Sequence, residues 1–85
     1  MYQDNKLTEI VIQVDLYAAR HLGEQKYYHG YTEEKEIVNG IEMIFLTSSL
    51  EGFARWYLMF ADYARIISPQ HLKDRVHSII QKISL

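Results

Sequence analysis

Cysteine is absent from this 85-residue chain. That removes disulfides, thiolate metal ligands and thiol nucleophiles together, and it is compatible with a cytoplasmic location. Proline occurs once and glycine four times, so no long flexible linker is written into the chain. No apolar run approaches the roughly 20 residues that span a bilayer. The longest candidate, Phe53 to Ala61, is interrupted by Arg55. The N-terminal Met1-Tyr2-Gln3-Asp4-Asn5-Lys6 is polar and lacks the apolar stretch of a secretory signal. A strong excess of positive charge is missing too. The formal net charge is −2, which does not suggest electrostatic nucleic-acid binding by this piece alone.

What remains is an ordinary globular balance, 48% hydrophobic and 24% charged residues. So short a chain makes one domain at most and hides no large active-site cavity. Residues 1–7 read as a linker or disordered N-terminus and 8–85 as a single domain.

The domain is a series of short elements. Glu9-Ile10-Val11-Ile12-Gln13-Val14 is rich in β-branched residues, with Ile10, Ile12 and Val14 on one face, and reads as a buried strand. Asp15 suits the N-cap of a helix that stops near Gly23, with Leu16, Ala19 and Leu22 at helical spacing. Gln25 to Gly30 reads as a loop. Asn39-Gly40 separates the charged run Tyr31 to Val38 from the apolar run Ile41 to Leu46, and Asn-Gly between extended runs is a strong hairpin signal. The first of these strands is expected at a sheet edge, where charge discourages unwanted pairing, and the second at the centre.

Ser48 or Ser49 can cap the next helix, which carries the stripe Leu50, Phe53, Tyr57 and Ala61 and is expected to end around Asp62. Glu51 and Arg55 stand four apart, where they can pair. Ala64-Arg65-Ile66-Ile67 reads as a fourth strand. Ser68-Pro69 opens a last helix, with Pro69 at the first helical position and Leu72, Val76, Ile79, Ile80 and Ile83 as its apolar stripe. The order β-α-β-β-α-β-α is that of an α+β, ferredoxin-like sandwich with an added C-terminal helix. Many unrelated functions use this fold, so it does not fix one.

The stretch from Ser49 through Trp56, Phe60 and Ala61 leads to Ala64-Arg65-Ile66-Ile67-Ser68-Pro69-Gln70-His71-Leu72. In this order it resembles the WCX domain, the C-terminal extension of WYL-type bacterial transcriptional regulators. Trp56, Phe60, Pro69 and Leu72 match that family's pattern, as does the earlier order of strand, Ala18-Ala19-Arg20 and hairpin. The likeness covers residues 8 to 83. Where the family has glycine after the phenylalanine, this chain has Ala61, so a turn needing positive φ is expected at Asp62 instead. The letters Trp56-Tyr57-Leu58 spell the name of the WYL domain by coincidence. That domain is similar to an Sm-like barrel and has a longer pattern, which this chain lacks.

The resemblance implies a regulatory and oligomerisation module. Its parent would carry an N-terminal winged helix-turn-helix that binds DNA, then a WYL domain that senses an effector such as a nucleic acid or small molecule. This piece would pack against the WYL domain or a partner protomer, giving a cytoplasmic homodimer with no membrane contact. The alternative is an ACT-like small-molecule sensor. Such domains usually bind at a glycine-rich strand–helix junction, whereas Asp15-Leu16-Tyr17 has no glycine.

No constellation of an enzyme emerges, and no cofactor or metal is expected. His21, His29, His71 and His77 lack metal-ligand spacing and read as exposed polar residues. Glu33, Glu34 and Glu36 read as a solvated edge rather than an acid–base pair. Ser48-Ser49 has no triad partner pattern, and the scattered glycines make no phosphate loop. The acylphosphatase type of site, an anion-binding loop after the first strand, is missing at Asp15-Leu16-Tyr17.

The candidate interface or effector contacts are Arg20, Tyr27, Tyr28, Tyr31 and Arg65. Tyr27, Tyr28, His29 and Tyr31 cluster with Lys26. Three readings stay open for that cluster: a loop folded over the sheet's open face, a protein interface, or a stacking contact with a ligand or nucleic acid. Arg20 suits a helix C-terminal turn. Arg65 could face the sheet surface that the first two helices leave uncovered.

Overall fold

Alternation in Thr8–Asp15 (β1) sets the frame of the computed structural model, which describes residues 6–84. Ile10, Ile12 and Val14 are buried on one face, while Glu9, Val11 and Gln13 point to the other. β1 pairs antiparallel with Gly40–Thr47 (β3) from Thr8↔Thr47 to Asp15↔Gly40. β3 pairs in turn with Tyr31–Ile37 (β2), and β1 with Ala64–Ser68 (β4). The result is a four-stranded antiparallel sheet in the order β2-β3-β1-β4. The fold is α+β, as the sequence implies. The charged strand β2 lies at one edge, and the apolar strand β3 is central.

Three helices supply the other layer: Leu16–Leu22 (α1), Leu50–Tyr57 (α2) and Gln70–Gln81 (α3). Ala18 and Leu22 of α1, Phe53, Ala54, Trp56 and Tyr57 of α2, and Leu72, Val76 and Ile79 of α3 share one core with Ile10, Ile12, Val14, Met43 and Phe45. Each large apolar side chain buried there contributes roughly 1.5–3 kcal/mol. All three helices therefore cover the same sheet face.

The helix starts follow their capping residues. Asp15 Oδ1 accepts from the Ala18 amide at 2.7 Å, and Ser49 Oγ accepts from the Gly52 amide at 3.0 Å. Gly23 ends α1 with φ of 51°. Asn39, at φ 64°, turns the β2–β3 hairpin.

Several expectations are corrected. Gln25–His29 is a 3-10 turn rather than a loop. α2 stops at Tyr57, and a second 3-10 turn, Ala61–Tyr63, carries the chain to β4. That turn needs no left-handed residue, so Asp62 is not at positive φ; Asn39 alone among the described non-glycine residues is. The two 3-10 turns interrupt the plain β-α-β-β-α-β order. Pro69 sits at the N-cap of α3 and not at its first helical position. Leu16, Ile80 and Ile83 match the helical spacing yet stay exposed: Leu16 is the first residue of α1, Ile80 lies in the last turn of α3, and Ile83 falls beyond its end. Residues 1–5 of the expected linker lie outside the described residues.

Candidate interaction surface

The face of the sheet opposite the helices carries no layer of its own among the described residues. Register places its side chains in rows. Lys35, Glu42, Gln13 and Arg65 form one row across all four strands. Glu33, Ile44 and Val11 form the next. Leu46 and Glu9 extend it.

The polar row is largely neutralised from within. Gln13 Nε2 donates to Glu42 Oε1 at 3.0 Å, and Lys35 Nζ lies 3.6 Å from Glu42 Oε2. Arg65, at the β4 end, has no ion pair among the described residues. The row beside it is apolar at its centre. Val11 and Ile44 are half-buried, and Leu46 is 39% exposed. A strip with an apolar centre, flanked by the exposed carboxylates of Glu9 and Glu33 and by the guanidinium of Arg65, suits contact with another protein surface better than with a phosphate backbone.

The tyrosine-bearing turn lies elsewhere. A bulge between Tyr31 and Glu33 turns Tyr31 to the helical side, opposite Phe45, and brings Glu34 onto that same side. Tyr31 meets Phe45 edge-on at 6.1 Å and Tyr27 at 5.2 Å. Lys26 Nζ sits 4.4 Å from the Tyr31 ring centroid and 2.8 Å from Glu34 Oε1, and the Tyr31 hydroxyl donates to that oxygen at 3.0 Å. Burial, reinforced by Glu34, pushes the Tyr31 hydroxyl up to about 12. The bond from Lys26 holds the Glu34 carboxyl below the usual range. These groups satisfy one another.

The turn is anchored to α2 at both ends. Trp56 Nε1 donates to Gln25 Oε1 at 3.2 Å, and His29 stacks on the indole at 4.1 Å. It therefore closes the β2 margin of the helical layer and does not fold over the sheet's open face. His29 is half-buried, which corrects the expectation of an exposed polar residue.

The five candidate residues do not converge. Tyr27 and Tyr31 touch, while Tyr28 is 84% exposed. Arg20 is exposed in the last turn of α1. Arg65 is exposed on the uncovered face, as expected, beside Gln13. Sequence reading found the Glu51–Arg55 pair, which forms, but not the Lys35–Glu42–Gln13 row or the Arg75 that joins Glu51 in a second cluster between helices. There Glu51 takes Arg75 in a two-point contact at 2.7 and 2.9 Å, and Arg55 at 2.9 Å. The row follows from strand alternation only once register is known. The Glu51–Arg75 pair is 24 residues apart in the chain and left no sequence signal.

No group of three or more potential metal ligands occurs among the described residues, and no helix there is long and apolar enough to cross a membrane. No curated protein matches the chain. Trp56, Phe60 and Leu72, three of the residues that carry the resemblance, are all buried in the core, so in this chain they act through packing. Residues 6–84 match the WCX domain, and the chain belongs to that family.

Proposed function

We propose that this chain is a non-catalytic regulatory and oligomerisation module of a WYL-type helix-turn-helix transcriptional regulator, seated by its uncovered sheet face against the WYL domain or a partner protomer. The observation that carries this reading is that face: Val11, Ile44 and Leu46 beside a row in which Lys35 and Glu42 pair and Gln13 bonds Glu42, leaving the Arg65 guanidinium at its end. Such a surface favours protein contact with little cost in desolvated charge. Membership in the WCX family supports the same reading. The non-catalytic part is supported by the structural engagement of two of the candidate groups. Glu34 holds Lys26 and Tyr31, and Ser49 caps α2.

On this reading DNA is bound by an N-terminal helix-turn-helix elsewhere in a cytoplasmic parent, and the effector enters through the WYL domain. The ACT-like alternative finds no support at the β1–α1 junction, where Asp15 is committed to capping the helix.

The test is the parent reading frame together with its assembly state. Upstream helix-turn-helix and Sm-like segments are expected. Leu46→Glu with Val11→Lys is expected to leave the isolated chain folded by circular dichroism but to weaken the parent dimer at least tenfold in sedimentation. An upstream frame lacking those segments, or a dimer indifferent to both changes, defeats the proposal. A thermal shift with free amino acids would favour the ACT-like sensor.

A further inference from the structure

The two edges of the sheet are guarded unequally. β2 presents Glu33, Glu34, Lys35 and Glu36 in succession, all exposed, the usual protection against an added strand. β4 reads Ala64-Arg65-Ile66-Ile67-Ser68 and carries one charge. Its outer backbone groups have no partner strand among the described residues, because β4 ends the sheet.

Directly beside this edge, on the helical side, lies an open groove of about 310 Å³. Tyr57, Ala61, Ile66, Val76 and Ile80 line it, with Lys73 and His77 of α3 also on its wall. Ile80 is 49% exposed, and Ile67, in the β4 bulge, is 40% exposed. The Tyr57 hydroxyl makes no hydrogen bond to any described residue, although burial raises its pKa. On the other side of the same edge stands Arg65. Neither Arg65 nor Lys73 has an ion pair among the described residues. The nearby carboxylate of Asp74 is taken by Gln70 at 3.0 Å.

We propose that the β4 edge and this groove bind an extended polypeptide segment with alternating apolar and acidic side chains, added antiparallel or parallel as a fifth strand. Side chains of an added strand alternate between the two sheet faces. One set falls into the apolar groove between Ile66 and Ile80. The other passes Arg65 on the opposite face. Acidic positions complement Arg65 on that opposite face, while the backbone of the segment satisfies the outer groups of β4. The bulge at Ile67 ends the straight part of the edge, so the segment is short. A second copy fits less well, since it would bring its own Arg65 and Lys73 against the same cations. This inference concerns the 85-residue chain by itself and stands whether or not its parent is a regulator.

The experiment is an NMR titration of the ¹⁵N-labelled chain at low salt with the peptide acetyl-Glu-Val-Glu-Val-Glu-Val-Glu-amide. Resonances of Ile66, Ile67, Val76 and Ile80 are expected to shift. Arg65→Glu is expected to weaken binding at least tenfold, as is Ile80→Glu, with the fold intact by circular dichroism. Replacing each glutamate of the peptide by lysine is expected to abolish it. The proposal is overturned by silence at about 1 mM peptide, by shifts confined to other surfaces, or by equal binding of the lysine peptide. Concentration-dependent pairing of the chain through β4 would overturn it as well.

Discussion

The imidazole of His29 lies flat on the indole of Trp56, with ring centroids 4.1 Å apart and planes inclined by 12°. The same indole is gripped from its polar end by Gln25, four residues earlier in the chain. One 3-10 turn thus holds both ends of the residue that closes α2 against the sheet. The stack contributes roughly 0.5–1.5 kcal/mol beyond the buried area.

This arrangement makes stability depend on pH. Burial lowers the pKa of His29 from its ordinary 6.5. The folded state therefore binds the proton less readily than the unfolded state, and protonation favours unfolding. Stability from this group is full above 6.5 and is lost as pH falls through the lowered value. Thermal unfolding is expected to show a falling Tm between about pH 7 and pH 5, and His29→Phe, which keeps a flat ring on Trp56, is expected to flatten that slope. An identical slope in the variant would sink the assignment to His29.

Trp56 itself is 5% exposed and meets Phe45, Phe53 and Phe60 edge-on at 5.7, 5.4 and 4.9 Å. Truncation to alanine is expected to cost roughly 3–5 kcal/mol, a large share of what so small a domain has. Trp56→Phe keeps most ring contacts and loses the bond to Gln25, for about 1 kcal/mol from that bond and a further fraction from lost volume. Urea unfolding of both variants measures the difference. If phenylalanine were as damaging as alanine, the ring cluster would not be the main role of Trp56.

Glu51 joins two helices through charge. Arg75 first, and Arg55 second, hold its carboxyl down to about 2, against an ordinary 4.5. A depressed carboxylate contributes stability that is present above 4.5 and is lost as pH falls toward 2. The pair is exposed, so its effect is screened by salt. Carbon-detected NMR titration is expected to show Glu51 titrating at about 2, and its midpoint is expected to rise toward 4.5 in Arg75→Gln. A midpoint near 4.5 in the native chain would show that the contact does not persist in solution.

Much of this architecture was legible in the chain because local rules and tertiary packing agree there. Asp15, Gly23, Asn39 and Ser49 do at their positions what their side chains or conformational freedom favour anywhere, and Ile10, Ile12 and Val14 alternate as a one-sided strand must. The misses occur where packing decides. Tyr31 and Glu34 share a side only through a bulge that no residue type announces. His29 is withdrawn from solvent by a tryptophan 27 residues away in the numbering, so its neighbours in sequence say nothing of its environment. Arg65 was placed on the proper face by alternation alone. Its lack of an ion partner emerged only when the register put Gln13, and not an acid, beside it.

Gly30 offers the sharpest separation of backbone conformation from packing. Its φ is 92°, and a Cβ added there would collide with the carbonyl oxygen of Leu46. The two residues are already tied, since the Leu46 amide donates to the Gly30 oxygen at 2.8 Å. Alanine would incur roughly 1–2 kcal/mol for the left-handed conformation and about 1–3 kcal/mol for displacing the β3 backbone. Gly30→Ala is therefore expected to lower the Tm by at least about 8 °C in a domain of this size. Asparagine tolerates positive φ better than alanine, as Asn39 illustrates at 64°. If φ alone mattered, Gly30→Asn would recover much of the loss. It carries the same Cβ, so it is expected to be no better than alanine, and a near-native melting temperature for Gly30→Asn would refute the collision as the cause.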